Sequence, residues 1–251
     1  MISDPLFYLL AIPALIGVGI SKGGFGAALG SLAVPLMSLA VPVPQAAGIA
    51  LPILCLMDLI GVVAYRRQWD PANMRIMIPG ALIGIAIGTL TFRYLDEALI
   101  RLLIGAIAVG FALNHWFMQS AAGAAAGRSR RKGTLWAGVS GFTSFVAHAG
   151  GPPLAVYLLP QRLDKTLYVG TTVIYFTVVN YVKLVPYAWL GQLSTGNLWT
   201  SLVLLPLAPL GMWLGFWLHD RIRTELFYRW TYRFLFLSGL KLIYDGLRAW
   251  I

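Results

Sequence analysis

The chain has 251 residues, of which 59% are hydrophobic and 11% charged, with a formal net charge of +10. A soluble domain carries about 25% charged residues, so a water-soluble globular protein is excluded and a polytopic all-α membrane protein is expected. The apolar runs lack the alternation of a transmembrane barrel. The basic residues lie in short loops without interleaved aromatics, which reads as membrane orientation and no nucleic-acid partner.

Ten apolar segments are expected in chain order. The first covers about 5–20 and the second about 26–40, with a break over Ser21 to Phe25. The third is about 46–65, the fourth about 75–92 and the fifth about 98–118. An Ala- and Gly-rich basic linker over 119–133 follows, carrying Arg128, Arg130, Arg131 and Lys132. The next segments are about 134–148 and 152–160, separated by a Gly150-Gly151-Pro152-Pro153 break, then about 167–190, 198–218 and 225–250. The N-terminal run has no charged region before it and no cleavage site after it, so it is expected to belong to the mature protein. Cys55 is the one cysteine, which leaves no disulfide framework and no cysteine-based metal site.

The second series echoes the first. An offset of 122 places Gly19 on Gly141, Ser21 on Thr143, Gly48 on Gly170, Asp58 on Asn180 and Tyr65 on Tyr187. Farther on, an offset of 127 places Ala81, Gly84 and Gly88 on Ala208, Gly211 and Gly215. The organisation expected is a first repeat over 1–118, a basic cytoplasmic linker over 119–133 and a second repeat over 134–251. If each broken pair returns to the side it came from, twelve basic residues fall in the loops of one side and four in those of the other. That asymmetry makes the repeats inverted, with the linker cytoplasmic and both termini outside. Inverted repeats with discontinuous helices are a transporter plan, with the site near the midplane.

Several stretches resemble the sulfite exporter TauE/SafE family, also called the toluene-sulfonate uptake permease family. They are the Gly-rich break after Gly19, Asp58 to Gly61, Tyr65 to Asp70, Pro79 to Gly84, Gly141 to Pro153, Gly170 to Thr172, Asn180 to Leu184 and Pro186-Tyr187. Lys22 and Ala27-Ala28-Leu29 depart from the family's usual pattern in the first break. The resemblance implies an inner-membrane transporter of small sulfur-containing or carboxylate anions.

The residues expected to form an anion site are Ser21, Lys22, Gly23, Gly24, Thr143, Ser144, His148, Gly150, Gly151, Asn180 and Lys183. Lys22 is an intramembrane ammonium, which either faces an anion or snorkels to the interface. His148 either donates to an oxyanion and accepts a proton, or caps a helix end. The Gly23-Gly24 and Gly150-Gly151 pairs allow positive φ and close backbone approach, and the helices after them would aim N–H groups at an anion. Plain helix packing is the alternative use of such pairs. Ser21, Thr143 and Ser144 either donate hydroxyls or bond back to their own helices. Asp58 is a candidate proton carrier with His148, or a counter-ion for Lys22 or Lys183, or half of a structural pair. His115 and His219 lie near segment ends and are expected at the interface. Trp189, Trp199, Trp213, Trp217, Trp230 and Trp250 suit interfacial belts or lipid-facing surface.

Two other functions compete with a secondary anion transporter. A membrane-embedded enzyme could pair Ser144 with His148, but no orienting acid lies nearby. A cation or metal permease would need several intramembrane carboxylates, and Lys22 opposes it. No phosphate-binding loop of the Gly-x4-Gly-Lys-Ser/Thr type is present. No cofactor and no metal is therefore expected; the partners expected are the anion, the bilayer and, in one possible arrangement, a second copy of the chain.

Overall fold

A computed structural model describes residues 1–26, 33–94, 96–117 and 125–248, which are helical with no strand among them. Helix α1 (Pro5–Ile20) is capped by Asp4 and continues into a π-helical turn, Ser21–Phe25. A short α2 (Ala33–Met37) precedes three long helices, α3 (Val43–Tyr65), α4 (Pro71–Thr91) and α5 (Glu97–Phe117). The second series is α6 (Arg130–Ala147), α7 (Gly151–Leu158) with a 3-10 turn at Leu159–Gln161, then α8 (Lys165–Trp189), α9 (Thr195–Leu204), α10 (Leu207–Arg221) and α11 (Thr224–Arg248). Among the described residues, four spans are long and apolar enough to cross a bilayer: Pro5–Phe25, Val43–Tyr65, Pro71–Thr91 and Lys165–Trp189. The α9–α10 pair makes a fifth, bent by 44°.

Three expectations about segment ends are corrected. The first helix does not break at Ser21. It runs through Phe25, and the chain turns at Gly26, whose φ is 73°. The helix α6 begins four residues before its expected start, because Ser129 accepts from Lys132 N and draws Arg130 to Lys132 into its first turn. The run over 198–218 is two helices joined at Leu205 and Pro206. Proline cannot donate the hydrogen bond that a straight helix requires there, and the chain bends.

Corresponding elements pack in a reciprocal way. Helix α1 lies on α10 and α6 on α4, while α3 lies on α8 and α5 on α11. The equivalent helices α3 and α8 run antiparallel. Gly48 near the start of α3 meets Gln192 beyond the end of α8, Asp58 meets Asn180 at the middle, and Gly170 near the start of α8 meets Gln68 beyond the end of α3. Helices α5 and α11 are likewise antiparallel, with Ala98 near Gly246 and Gly105 near Gly239. Backbone contact this close is the usual use of small residues between membrane helices. A methyl group on Gly84 would lie 2.0 Å from the Gly138 carbonyl oxygen, and one on Gly19 would lie 2.7 Å from Gly211 Cα. Trp189, Trp199, Trp213, Trp217 and Trp230 are exposed on the outside of this bundle, and Trp250 lies outside the described residues.

Candidate functional site

The two interrupted helices end at equivalent residues. Adding 122 to Phe25 and Gly26 gives Ala147 and His148. Gly26 and His148 are both in the positive-φ region, at 73° and 51°. Each end is held by a tyrosine from the long helix of its own half. Tyr65 donates to the Gly23 carbonyl and Tyr187 to the Phe145 carbonyl, both at 2.6 Å. Donor and acceptor are 42 residues apart in both cases. The tyrosines satisfy last-turn carbonyls that a helix end leaves without intrahelical partners.

Polar side chains meet between these ends. Lys22 is 5% exposed and its Nζ lies 2.5 Å from Asp58 Oδ1; it also donates to the Leu54 carbonyl at 3.2 Å. Asp58 is fully buried, and its other oxygen accepts from Asn180 Nδ2 at 2.7 Å. Lys183, also fully buried, donates to Ser144 O and Oγ at 3.0 Å and approaches His148 Nδ1 at 3.1 Å. The other imidazole nitrogen of His148 lies 3.2 Å from the Ala47 carbonyl and 3.5 Å from Tyr187 OH. Lys22, Ser144, His148, Gly151 and Asn180 line a cavity of about 30 Å³ together with the apolar Val18, Leu54 and Phe176. That volume is enough to hold water.

The expected site residues divide accordingly. Lys22, Ser144, His148, Gly151, Asn180, Lys183 and Asp58 converge at the cavity or on the side chains lining it. Ser21 and Thr143 turn back to their own chain: Ser21 Oγ donates to Gly26 O at 2.8 Å, and Thr143 Oγ1 to Ala149 O at 3.1 Å. The glycine pairs do not supply the positive-φ turns. Gly23 and Gly24 sit in the π turn with their Cα positions against Met212 and Gly215 of α10, and Gly150 has φ −76° against Ser140 O. Close packing explains them. The start of α7 offers fewer amides than a helix normally does, because Pro152 and Pro153 have no N–H and Leu154 donates to Gly150. The corresponding start after the first break, with Ala27-Ala28-Leu29, lies outside the described residues.

Histidines and enzyme chemistry are also clarified. His219, in the last turn of α10, is buried: Nδ1 lies 2.9 Å from the Gly24 carbonyl and Nε2 3.1 Å from Thr166 Oγ1. The His115 side chain lies outside the described residues. Ser144 and His148 do not form a nucleophile–base pair, since both face Lys183. No group of three or more metal-ligating side chains occurs among the described residues. Sequence reasoning does not foresee the contacts that Tyr65, Tyr187 and His219 make with the two interrupted helices and α8. The tyrosines stand out as a repeat match, but nothing in their type or spacing names a carbonyl partner 42 residues back.

No curated protein and no solved structure matches the chain. The profile of one family, described as sulfite exporter TauE/SafE, matches residues 11–242. A match over nearly the whole chain, on a helical bundle with several apolar spans, shows that this multi-pass membrane protein is not an enzyme but a membrane transporter belonging to the TauE/SafE sulfite exporter family.

Proposed function

We propose that the protein is a secondary transporter of one small anion, namely sulfite, a sulfonate or a related organic anion. The anion binds near mid-bilayer depth between the two helix ends, and two inverted halves move against each other to give alternating access. The observation that carries this reading is Lys183: a fully buried lysine whose contacts are a serine and a histidine rather than a carboxylate. An intramembrane cation is costly and marks a substrate or ion path. Lys22 is the weaker electrostatic partner for substrate because Asp58 already neutralises it. Gly151, Ser144, His148 and Asn180 are assigned to the same shell, with Asp58 and His148 as the groups that carry a coupling proton.

The antiparallel pairing of α3 with α8 supports the inverted arrangement. In it the halves are 1–118 and 134–251, the linker 119–133 is cytoplasmic, and both termini face the periplasm of a bacterial inner membrane. Two measurements test the reading. Purified protein in liposomes is expected to move labelled sulfite or a sulfonate down an imposed gradient; a folded protein that moves no anion of a sulfite, sulfonate and carboxylate panel overturns it. In a Cys55→Ser background, cysteines at 68 and 130 are expected to be labelled from the cytoplasm, and one at 194 from outside. Cytoplasmic labelling at 194 rules out the inverted arrangement.

A further inference from the structure

Each interrupted helix is packed backbone to backbone on a helix of the other half. A methyl group at Gly24 would lie 2.6 Å from Gly215 O of α10, and one at Gly141 of α6 would lie 2.4 Å from Ala81 O of α4. Each of these pairs meets the start of a long helix, α8 in the first case and α3 in the second. The two joints are equivalent in the repeat but differ in chemistry. At the first, Lys165 Nζ donates to the His219 and Ile222 carbonyls at 2.7 and 2.6 Å. Thr166 Oγ1 lies 3.1 Å from His219 Nε2, and His219 Nδ1 donates to the Gly24 carbonyl at 2.9 Å. Tyr65, the last residue of α3, stands edge-on to His219, which places this joint at the end of the bundle with the 66–70 loop. At the second joint the equivalent positions hold Val43, Pro44 and Phe92, whose side chains neither donate nor accept. There α3 is met by His148, whose Nε2 lies 3.2 Å from Ala47 O and which also lines the central cavity. Other polar contacts occur at both ends: Thr171 Oγ1 accepts from Asp70 N at 2.9 Å, and Gln45 donates to Asn197 at 3.3 Å. The set of Lys165, Thr166 and His219 is what distinguishes the first joint.

We propose that Lys165, Thr166 and His219 form a latch that keeps the ligand-free protein closed at the end bearing the 66–70 loop, resting on the alternating-access reading above. The last carbonyls of α10 have no intrahelical partner and lie at the negative end of the helix dipole, so an ammonium is well placed there. Hydrogen bonds from a charged donor are stronger than neutral ones, and Lys165 makes two of them across the joint. None of the three latch residues lines the cavity. Filling the cavity therefore leaves the latch in place. The opposite closure runs through His148, which a ligand in the cavity meets directly. One end is held whether or not the site is filled, and the other responds to the ligand. The ligand-free protein accordingly opens first at the end bearing Ser194.

The test introduces Val18→Cys, at the cavity wall, into the full-length Cys55→Ser protein. Its reaction with a charged, membrane-impermeant thiol reagent is measured from each side of sealed vesicles. Cysteines at 68 and 194 mark the two sides, so the result holds whichever of them is cytoplasmic. With the latch intact, reaction is expected to be faster from the 194 side by about tenfold. Lys165→Met combined with Thr166→Val is expected to speed reaction from the 68 side by about tenfold or more, the equivalent of about 1.4 kcal/mol. Reaction from the 194 side should become no faster. His219→Phe, which copies Phe92, is expected to act in the same way. If neither variant folds, as judged by melting in detergent, Thr166→Val alone is expected to give about a threefold rise from the 68 side. Unchanged reaction from the 68 side in a folded variant overturns the latch. So does an equal rise from both sides, which marks general loosening, and so does equal reaction from both sides with the latch intact. No anion is present during labelling, so these outcomes are separate from failure of the transport reading, which shows as absence of flux for the whole anion panel.

Discussion

The two interrupted helices share a backbone plan and divide the chemistry differently. Their ends fall at equivalent residues, turn through Gly26 and His148, and are held by Tyr65 and Tyr187 through the same hydrogen bond. Their polar groups do not correspond. The first half places its ammonium, Lys22, on the interrupted helix and its carboxylate, Asp58, on α3. At the position of Lys22 the second half has Ser144, and at the position of Asp58 it has Asn180; its own ammonium, Lys183, lies on α8 where the first half has Gly61. One half pairs its lysine with a carboxylate, and the other sets its lysine against a serine and a histidine. The two halves therefore share backbone geometry, and their polar groups depart from it.

Exchanging the two lysines in turn breaks this comparison most strongly. Lys22→Met leaves Asp58 buried beside Asn180 without its cation. Loss of one partner from a buried pair is expected to cost about 3–5 kcal/mol, read as a large drop in melting temperature in detergent. The double variant Lys22→Met with Asp58→Asn is expected to recover most of that loss. Lys183→Met strands no carboxylate, so its main effect is expected on binding, with anion affinity falling by about tenfold or more from the loss of a charge-assisted contact. If Lys183→Met binds every anion as tightly as the parent, the division of roles between the lysines is wrong.

The helix contacts sharpen the comparison at a second level. Gly84 of α4 and Gly211 of α10 are equivalent, but a methyl group meets backbone oxygen at 2.0 Å on Gly84 and at 3.0 Å on Gly211. Gly84→Ala is expected to destabilise by about 1–3 kcal/mol, as overpacking does, and Gly211→Ala by less. Equal melting temperatures for the two variants contradict the tighter α4–α6 contact. The tyrosines come next. Tyr65→Phe and Tyr187→Phe each strip a buried carbonyl of its donor, an effect of about 1–3 kcal/mol. The consequences for transport are expected to differ, because Tyr187 OH also approaches His148 at 3.5 Å. Tyr187→Phe should alter the substrate concentration for half-maximal flux, and Tyr65→Phe only the amount of folded protein.

Much of this arrangement is legible in the amino-acid sequence. Long apolar runs, the basic linker and the second break at Gly150 and Gly151 follow from composition and from where proline sits relative to a helix start. The 122-residue offset makes Asp58 and Asn180 equivalent positions, and the antiparallel crossing of α3 with α8 brings them together. The first break lies farther along than Gly23-Gly24 suggests: two glycines have low helix propensity, but packing against α10 overrides it. The start of α6 lies earlier than expected because three successive basic residues read as a loop, although the Ser129 cap makes them a first turn. Lys183 and His148 lie 35 residues apart, and no local pattern brings them together. Their contact comes from α8 crossing the end of α6, which is information carried by the fold.

The smallest expected effect tests the peripheral counterpart of the central cluster. Asp70 caps α4 through Ala72 N and Asn73 N, and Arg128 of the linker donates to it at 2.7 Å and 3.1 Å. Asn73 extends the contact to Gln161 and Tyr157, tying the linker and the α3–α4 loop to the end of α7. Burial opposes the charge on Asp70, but the Arg128 guanidinium and the cap N–H groups outweigh it and hold the carboxyl below its usual range. A depressed carboxyl stabilises the fold above the unfolded value of about 3.9, and that contribution is lost as pH falls through the lower folded value. Arg128 is half exposed, so water screens the pair and its worth is about 1 kcal/mol or less. Arg128→Gln should raise the Asp70 carboxyl toward its ordinary range. The difference in melting temperature between parent and variant is then largest near neutral pH and closes as both carboxyls become protonated at acid pH. A difference that stays constant from neutral pH down to about pH 3 would show that Arg128 acts through packing and not through the charge of Asp70.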